Sequence, residues 1–434
     1  MLNTKIIRAL FLVLLVPVFR FAEAAVEIAH WVAPSGARVF FVETHVLPIL
    51  DVQIDFAAGS ALDPLGKAGL AAMTMGLIDH GVEGMDETAI ASRLTDLGAL
   101  LGGGVDRDRA SIALRTLSDE DKRVPALEIM EAVVSAPLFP EEVLAREKAR
   151  TVSHLKEGLT RPGVLASRAF WSAAYPSHPY GRLTSPESLE ALQRSDLQAF
   201  YSDFYSAARA SLTIVGDLTR PQAEELARKL TARLPEGRAP ERIDRPELPQ
   251  GGERRVAHPA TQAHIFIGLP AIARGDPDYF PLLVGNHALG GGGFVSRLMR
   301  EVREKRGFAY SVYSAFSPMA QLGPFQIGLQ TKKQQVDEAL KLTREVLARF
   351  LAEGPDKAEL ETAKQNLVGS FPLRLDSNRK ILENVAVVGF FDYPLDYLDR
   401  YAENVEKVTA AEVRDAFARR VKLDALVTVV VAGD

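Results

Sequence analysis

Residues 289–314, LGGGGFVSRLMREVREKRGFAYSVYS, carry the densest set of structural signals in the chain. The run begins with four glycines, which leave the backbone without Cβ atoms and permit positive φ angles. Phe294, Leu298 and Val302 follow at four-residue steps, the apolar spacing of an amphipathic helix. A bare loop leading into a helix is therefore predicted here. The glycines are Gly290, Gly291, Gly292 and Gly293.

The same stretch predicts a bend between a helix and a strand. Gly307 is placed to end the helix as a C-cap, and residues 309–313 have the Tyr and Val content of a half-buried strand. Arg303 and Tyr310 would then lie on either side of one tight bend, where a guanidinium and a phenol can grip a peptide carbonyl. The residues alone leave an alternative open, in which the arginines form a solvated helix face and Tyr310 packs in the sheet.

Composition limits the class of protein. The chain has 434 residues, 47% hydrophobic and 25% charged, which is enough for substantial cores and predicts two domains. It has no cysteine, which excludes a disulfide framework and any thiolate metal site. Its net charge of −5 gives no indication of nucleic-acid binding.

Residues 1–24 have the pattern of a secretory signal. Lys5 and Arg8 precede an apolar run at 9–19, and Ala22, Glu23 and Ala24 form a small-residue cleavage site. Cleavage would remove three basic residues and one acidic residue and move the net charge from −5 to −7. We expect a periplasmic protein. An uncleaved membrane anchor is the alternative, although the apolar run is short for a membrane span.

An internal repeat divides the rest of the chain. Residues 211–217, SLTIVGD, match residues 428–434, TVVVAGD, and a helical pattern precedes each copy. Prolines and glycines concentrate in residues 235–252, the composition of a linker. We therefore predict two similar α+β domains, at 25–234 and 253–434.

The long stretch at 289–314 resembles the second-domain signature of the pitrilysin/insulysin family of zinc peptidases. The matching residues are the glycine run, Ser296-Arg297-Leu298, and residues 303–310. This family also contains mitochondrial processing peptidase and two-chain bacterial peptidases. The resemblance covers nearly the whole mature chain. It implies two domains, each a mostly antiparallel sheet packed with helices, that form a clam-shell around a chamber.

The zinc motif of that family is missing. Family peptidases carry His-x-x-Glu-His on a first-domain helix, where two imidazoles bind zinc and the glutamate takes a proton from the zinc-bound water. Gly69-Leu70-Ala71 matches the residues that usually precede the motif. Ala72, Met75 and Gly76 then replace the first histidine, the glutamate and the second histidine. The three positions share one helix face, so all three chemical groups are absent.

No other metal or catalytic motif replaces it. The downstream glutamate of the family aligns near Ser153 and His154. No two of the eight histidines lie three to five residues apart, so no local ligand pair exists. The sequence also lacks the G-x-S-x-G elbow and the phosphate-binding G-x-x-x-x-G-K-(S/T) loop.

The resemblance implies a non-catalytic subunit of a two-chain zinc peptidase. Zinc is expected in a homologous partner subunit and no cofactor in this chain. Arg303 and Tyr310 would bind the substrate backbone in the partner's active site and help hold the developing oxyanion. The glycine run would let substrate or partner backbone approach closely. The alternatives are a stand-alone peptide-binding or scaffold protein, and an enzyme with unfamiliar chemistry.

Overall fold

The computed structural model describes residues 26–238 and 243–433. The predicted signal segment lies outside these ranges. Within them, no helix combines the length and apolarity that a membrane crossing requires.

The first domain alternates strands with helices. Its eight strands are β1 (Ala29–Val32), β2 (Arg38–Glu43), β3 (Ile49–Phe56), β4 (Gly81–Val82), β5 (Met85–Asp86), β6 (Leu100–Val105), β7 (Ala110–Leu117) and β8 (Ala210–Gly216). Its helices are α1 (Leu70–Gly76), α2 (Glu87–Asp96), α3 (Glu120–Ser135), α4 (Glu141–Gly158), α5 (Pro162–Ala174), α6 (Pro186–Glu190), α7 (Arg194–Phe204) and α8 (Arg220–Thr231). Six of the strands form one sheet in the order β1-β2-β8-β3-β7-β6, and β4 pairs with β5 as a small ribbon.

The second domain repeats the plan with fewer strands. Its strands are β9 (Gly252–Ala257), β10 (Gln262–Ile272), β11 (Ser311–Phe316), β12 (Gly323–Lys332) and β13 (Val427–Ala432). Its helices are α9 (Tyr279–Asn286), α10 (Val336–Glu353), α11 (Lys357–Ser370), α12 (Asn378–Phe390), α13 (Tyr401–Lys407) and α14 (Ala410–Arg420). The sheet order is β11-β12-β10-β13-β9.

Apart from β1, which has no counterpart among the described strands of the second sheet, the two sheets have the same topology. In the first sheet β2 runs parallel to β8, and β3, β7 and β6 follow as antiparallel neighbours. In the second sheet β9 runs parallel to β13, and β10, β12 and β11 follow in the same way. The predicted repeat motifs fall on β8 and β13, which each lie between one parallel and one antiparallel neighbour. The predicted α+β class with mostly antiparallel sheets is confirmed.

Each domain covers the inner sheet face of the other with one helix. Helix α5 of the first domain packs on β10 and β13, and α12 of the second domain packs on β2, β3 and β8. Ala166, Phe170 and Ala174 form a fully buried stripe at four-residue steps, which lies against the valines of β13. Gly389 of α12 lies so close to the ring of Phe40 that a Cβ atom there would be 2.5 Å from it. The domains are therefore joined by an exchange of helices.

Hydrogen bonds add to this junction. The Tyr175 hydroxyl donates to the carbonyl of Leu322 at 2.9 Å. The Tyr180 hydroxyl donates to Asp108, and the backbone amide of Ala320 donates to the other oxygen of that carboxylate at 2.8 Å. Helix α8 ends at Thr231 and β9 begins at Gly252, and the described residues between them belong to no helix or strand.

Residues 289–314 depart from the single regular helix that the four-residue spacing predicts. The backbone forms π-helical turns at His287–Gly291 and Met299–Glu304, with a 3₁₀ turn at Gly293–Val295 between them. Ser296 is extended and separates the last two turns. Leu298 and Val302 are buried as predicted, but Phe294 is exposed, because the extended residue removes it from the helical stripe.

Candidate functional site

Helix α1 carries Ala72, Met75 and Gly76, the residues that the resemblance aligns with the zinc motif. Met75 is buried, and Ala72 and Gly76 are exposed one turn apart on the same side of the helix. A methyl group, a thioether and a hydrogen atom offer no set of ligands for Zn²⁺. No group of three His, Cys, Asp or Glu side chains is placed to hold a metal ion within residues 26–238 and 243–433. The residues at this position do not fit the family's zinc ion.

The charged side chains near α1 pair with one another. Arg146 makes a bidentate ion pair with Glu87 at 2.7 and 2.8 Å and also contacts Glu147. Glu147 is buried on α4, less than two turns before the predicted glutamate position, and it also pairs with Arg150. A hydrogen bond with Asp79 raises the pKa of His80. Sequence spacing carried no signal of this network.

The start of α1 is held by a buried carboxylate. Asp63 accepts hydrogen bonds from the backbone amides of Gly69 at 2.7 Å and Ala71 at 2.8 Å. Burial outweighs these bonds and raises the pKa of Asp63 to about 6. Gly69 has φ 104, in the left-handed region, and a Cβ atom there would lie 2.9 Å from Thr184. This glycine belongs to the matching Gly-Leu-Ala sequence.

Strand β6 forms the edge of the first sheet next to α1. Its sequence, LLGGGV, is mostly exposed, and among the described strands β7 is its only neighbour. Met75 of α1 touches the backbone at Gly103, where a Cβ atom would lie 2.3 Å from the Met75 methyl carbon. A Cβ atom at Gly102 or Gly104 would meet nothing within 4 Å. The free edge of β6 is therefore backbone with little side-chain cover.

Two clefts flank this edge. The one on the α1 side, called the α1 cleft below, has a volume of about 380 Å³. Apart from the three β6 glycines, it is lined by Ala72, Met75, Gly76, Ile78, Asp79, His80, Val105 and Ile112. The one on the α12 side, called the α12 cleft, has a volume of about 430 Å³ and contains two ion pairs, Asp51 with Arg115 and Arg379 with Glu383.

The predicted bend brings Arg303 and Tyr310 together. The guanidinium carbon of Arg303 lies 5.4 Å from the centroid of the Tyr310 ring and 4.9 Å from that of the Phe294 ring. Both rings are largely exposed, at 78% for Tyr310 and 65% for Phe294. Gly307 has φ 65, the left-handed conformation of a C-cap, and allows the reversal. We call these three side chains the Arg303 cluster.

The arginines of this stretch have different surroundings. Arg297 makes a bidentate ion pair with Glu359 and donates to the carbonyl of Gly354, and Arg300 also reaches Glu359. Among the described residues, the Arg303 guanidinium has no hydrogen bond or ion pair with a side chain. Arg297 therefore does not belong to a solvated helix face. Arg303, in contrast, keeps a charge that no described side chain neutralises, and it lies against two rings.

Most glycines of the run pack closely against other residues of the same chain. Cβ atoms at Gly290, Gly291 and Gly292 would lie 2.5 to 2.7 Å from atoms of Ser314, Asn286 and His287. Only the fourth member, Gly293, faces open space, with φ 62. The first three glycines therefore pack this segment against β11 and its own preceding turn. Gly293, the fourth glycine, is the member of the run at which the structure leaves room for another chain.

Sequence reasoning did not find Phe294 as a member of the cluster, because the four-residue spacing assigned it to the buried stripe. The α1 cleft and the Arg303 cluster belong to different domains. No hydrogen bond, ion pair or ring contact joins them within the part of the chain that the structure describes.

Comparison with known proteins places the chain in a family. The family model described as "Peptidase M16 inactive domain" matches residues 191–367. The crystal structure of a peptidase M16 inactive domain from Pseudomonas fluorescens is 37% identical with a TM-score of 0.91, and the match covers 94% of this chain and 98% of that one.

More distant relatives extend the likeness. The non-peptidase homolog YmxG of Helicobacter pylori is 24% identical over 426 residues, 96% of this chain and 97% of that protein. The periplasmic protease PqqL of Escherichia coli has the same fold, with a TM-score of 0.81 at 17% identity over 95% of this chain and 46% of PqqL. The resemblance predicted from the motifs is confirmed. The chain belongs to the peptidase M16 family, as an inactive member that keeps the peptidase fold.

Proposed function

We propose that this chain is the non-catalytic subunit of a heterodimeric zinc peptidase. The homologous partner supplies zinc and the catalytic glutamate. This chain supplies Arg303 and Tyr310, which bind the peptide backbone in the partner's active site and stabilise the oxyanion that develops during hydrolysis.

The unneutralised Arg303 guanidinium carries this proposal. Two aromatic rings orient the Arg303 guanidinium. Because it has no carboxylate partner among the described residues, its charge is not neutralised within the chain. Arg303 is half-buried beside two exposed rings, and its charge is available to an oxygen of a substrate or partner. The tyrosine hydroxyl beside it adds a neutral donor.

The zinc site of the proposed complex would lie on the partner chain. Helix α1 presents no zinc ligands, so hydrolysis requires a metal site on another chain. The match covers 46% of the E. coli protease, which leaves room in that chain for a second unit of similar size. Here the second unit would be a separate polypeptide. The predicted signal segment supports assembly in the periplasm.

The bare edge of β6 gives this chain a place to hold peptide. An extended peptide can add to an exposed sheet edge through main-chain hydrogen bonds. The glycines of β6 leave that edge without side chains that would obstruct a new strand. The same observation favours the second candidate, a stand-alone peptide-binding protein or scaffold, because the edge is complete within one chain.

A pull-down of the mature chain from its native periplasm tests the proposal. The expected result is a stoichiometric partner bearing His-x-x-Glu-His, with zinc and peptidase activity present only when both chains are present. A chain that elutes alone, free of metal and inert, would overturn the heterodimer and leave the stand-alone candidate.

A further inference from the structure

Helix α5, the first-domain helix that packs on the second sheet, is tied at both ends to residues around β9. Before the helix, the carbonyl of Thr160 accepts a hydrogen bond of 2.9 Å from Nε2 of His258, the residue that follows β9. After the helix, Nε2 of His178 donates a hydrogen bond of 2.9 Å to the carbonyl of Asp244, which precedes β9. One imidazole therefore holds each end of α5.

Both imidazoles are held in the neutral form with the proton on Nε2. Nδ1 of His178 accepts a hydrogen bond of 3.1 Å from the backbone amide of Tyr180. Nδ1 of His258 accepts one of 3.2 Å from the backbone amide of Ala260. An amide N–H can only donate and a carbonyl oxygen can only accept, so this tautomer satisfies both partners of each ring. A second proton, on Nδ1, would face an N–H group and remove a hydrogen bond at each end of α5.

A third histidine lies under the first turn of α5. His264 projects from β10, and a Cβ atom at Gly163 of α5 would lie 3.2 Å from its Nδ1. Its cross-strand partners, Gln330 and Val431, are uncharged. Burial, and then the proximity of His258, lowers the pKa of His264. The N-terminus of a helix carries a partial positive charge, so a protonated imidazole is unfavourable at this position.

The surroundings of His178 also favour the neutral ring. Burial lowers the pKa of His178 and Arg182 lowers it further, while the hydrogen bond to Asp244 and the Asp244 carboxylate act in the opposite direction. The rings of Tyr175 and Tyr180 lie against the imidazole. Burial raises the pKa of both phenols, so they stay uncharged.

The charged groups around His258 give a proton there little compensation. Glu157, at the end of α4 beside Thr160, already pairs with Arg161 at 2.5 Å. The Lys333 side chain lies beside the turn that contains His258. A positive charge on this ring would therefore meet a lysine and a second imidazole.

We infer that His178, His258 and His264 form a pH-sensitive clasp on α5, whose protonation loosens the helix from the second sheet. The clasp is complete above the ordinary histidine pKa of 6.5. It weakens as the pH falls from there through the lowered pKa values of His178 and His264. The inference concerns the junction between the domains, so it goes beyond the proposed function and depends on neither a peptide nor a partner.

The test uses the full mature chain, whose lack of cysteine lets one introduced thiol report on α5. Ala166 is fully buried against β13, so the thiol of Ala166→Cys is covered while α5 is docked. Its reaction with 4,4′-dithiodipyridine is followed by absorbance at pH 7.5 and pH 5.0, and each rate is divided by that of the urea-unfolded variant. This labelling ratio should rise about tenfold at pH 5.0, which corresponds to a change of one pKa unit.

Ala386→Cys is the matched control for the position of the thiol. Ala386 is fully buried on α12, the helix that the second domain places on the first sheet. Among the described residues, no histidine hydrogen bond reaches the ends of α12. The labelling ratio at this position should change by less than about twofold.

Histidine variants of the Ala166→Cys chain assign the effect. Glutamine keeps a neutral donor but cannot be protonated, so replacing all three clasp histidines should reduce the tenfold rise to less than about twofold. His178→Gln alone should reduce it to about threefold, and this variant decides the matter if the triple variant is already undocked at pH 7.5. His154→Gln, at an exposed position of α4 outside the clasp, should leave the tenfold rise unchanged.

Three outcomes would overturn the clasp. The first is a labelling ratio at Ala166→Cys that does not change with pH. The second is an equal rise at Ala386→Cys, because acid would then loosen both exchanged helices and not α5 in particular. The third is a tenfold rise that persists in the His178→Gln variant.

Discussion

Strands β6 and β11 occupy the same place in the two repeats, yet they present different surfaces. Strand β6 is an edge of bare backbone flanked by two clefts. Strand β11 carries side chains, and the ring of Tyr313 covers Gly328 of the neighbouring strand. The Arg303 cluster lies directly before it. One edge is thus suited to main-chain pairing and the other to side-chain contact, which indicates that the repeats have diverged in surface while the topology stayed the same.

Both edges meet a helical segment through a glycine, but the glycine lies on opposite partners. In the first domain it is Gly103 on the strand, and the large side chain is Met75 on α1. In the second domain it is Gly290 on the π-helical turn, and Ser314 lies on the strand. The close approach of helical segment and edge strand occurs in both domains. The edge strand has a bare backbone only in the first domain, where the glycine lies on the strand.

Arg303→Ala should have the largest effect. If Arg303 stabilises the oxyanion in the partner's site, the kcat of the two-chain complex should fall by about a hundred- to a thousandfold, the loss typical of one oxyanion donor. Assembly, measured by analytical ultracentrifugation, should change little. Steady-state kinetics of the reconstituted complex provides the measurement.

Arg306→Ala is the matched control, because Arg306 is exposed in the same bend and lies outside the Arg303 cluster. Its kcat should stay close to that of the unmodified complex. An equal loss from both substitutions would show that the bend contributes only general positive charge.

Two buried aspartates should give opposite pH dependences. Burial raises the pKa of Asp63 to about 6, above the ordinary 3.8, so the folded state binds the proton more tightly. Its contribution to the free energy of unfolding is therefore greatest below pH 3.8 and falls by about 3 kcal/mol as pH rises to about 6. Asp63→Asn should remove this fall, and urea unfolding at pH 4 and pH 7 would measure it.

Asp278, before α9, is the second-domain counterpart in this comparison. Burial acts to raise its pKa, but hydrogen bonds from Arg419 and Arg420 outweigh burial and lower it. Its stabilising contribution is present above pH 3.8 and is lost as pH falls through the lowered pKa. Relative to Asp278→Asn, the unmodified chain should gain stability from pH 3 to pH 5. The same sign for both aspartates would contradict this account.

Gly103→Ala tests the close contact between strand and helix. The added Cβ atom would lie 2.3 Å from Met75 and 2.4 Å from the backbone oxygen of Ser111, so the substitution should cost about 2 kcal/mol by overpacking. Gly104→Ala, in the same strand, meets nothing and should not lower the free energy of unfolding. Chemical denaturation of both variants gives the difference, and equal stabilities would refute the packing argument.

Tyr310→Phe should have the smallest effect. The ring that contacts Arg303 is retained and only the hydroxyl is lost, so kcat/KM of the complex should fall about fivefold, the value of one neutral hydrogen bond of about 1 kcal/mol. A loss as large as that of Arg303→Ala would mean that the hydroxyl, and not the guanidinium, makes the principal contact.

Local spacing was enough to predict some parts of the site. The positions of Ala72, Met75 and Gly76 follow from one helical turn, and Arg303 and Tyr310 are separated by a single glycine bend. Contacts this short in sequence depend on backbone geometry that neighbouring residues control. The topological repeat followed in the same way from two matching strand sequences.

Contacts between residues far apart in sequence were beyond that reasoning. Four-residue spacing placed Phe294 in a buried stripe, and the extended Ser296 moved it beside Arg303. The pairing of Arg297 with Glu359 joins residues 62 positions apart, so no local pattern indicates which arginine stays unpaired.

The amino-acid sequence alone determined the family, the duplicated α+β architecture and the absence of a His-x-x-Glu-His motif, because each follows from residue types at short, regular spacing. Tertiary structure decided the exchange of α5 and α12, the internal use of the glycine run and the isolation of the Arg303 charge. Each of these depends on which distant surfaces meet, and many partners of equal hydrophobicity or charge are available until the chain has folded.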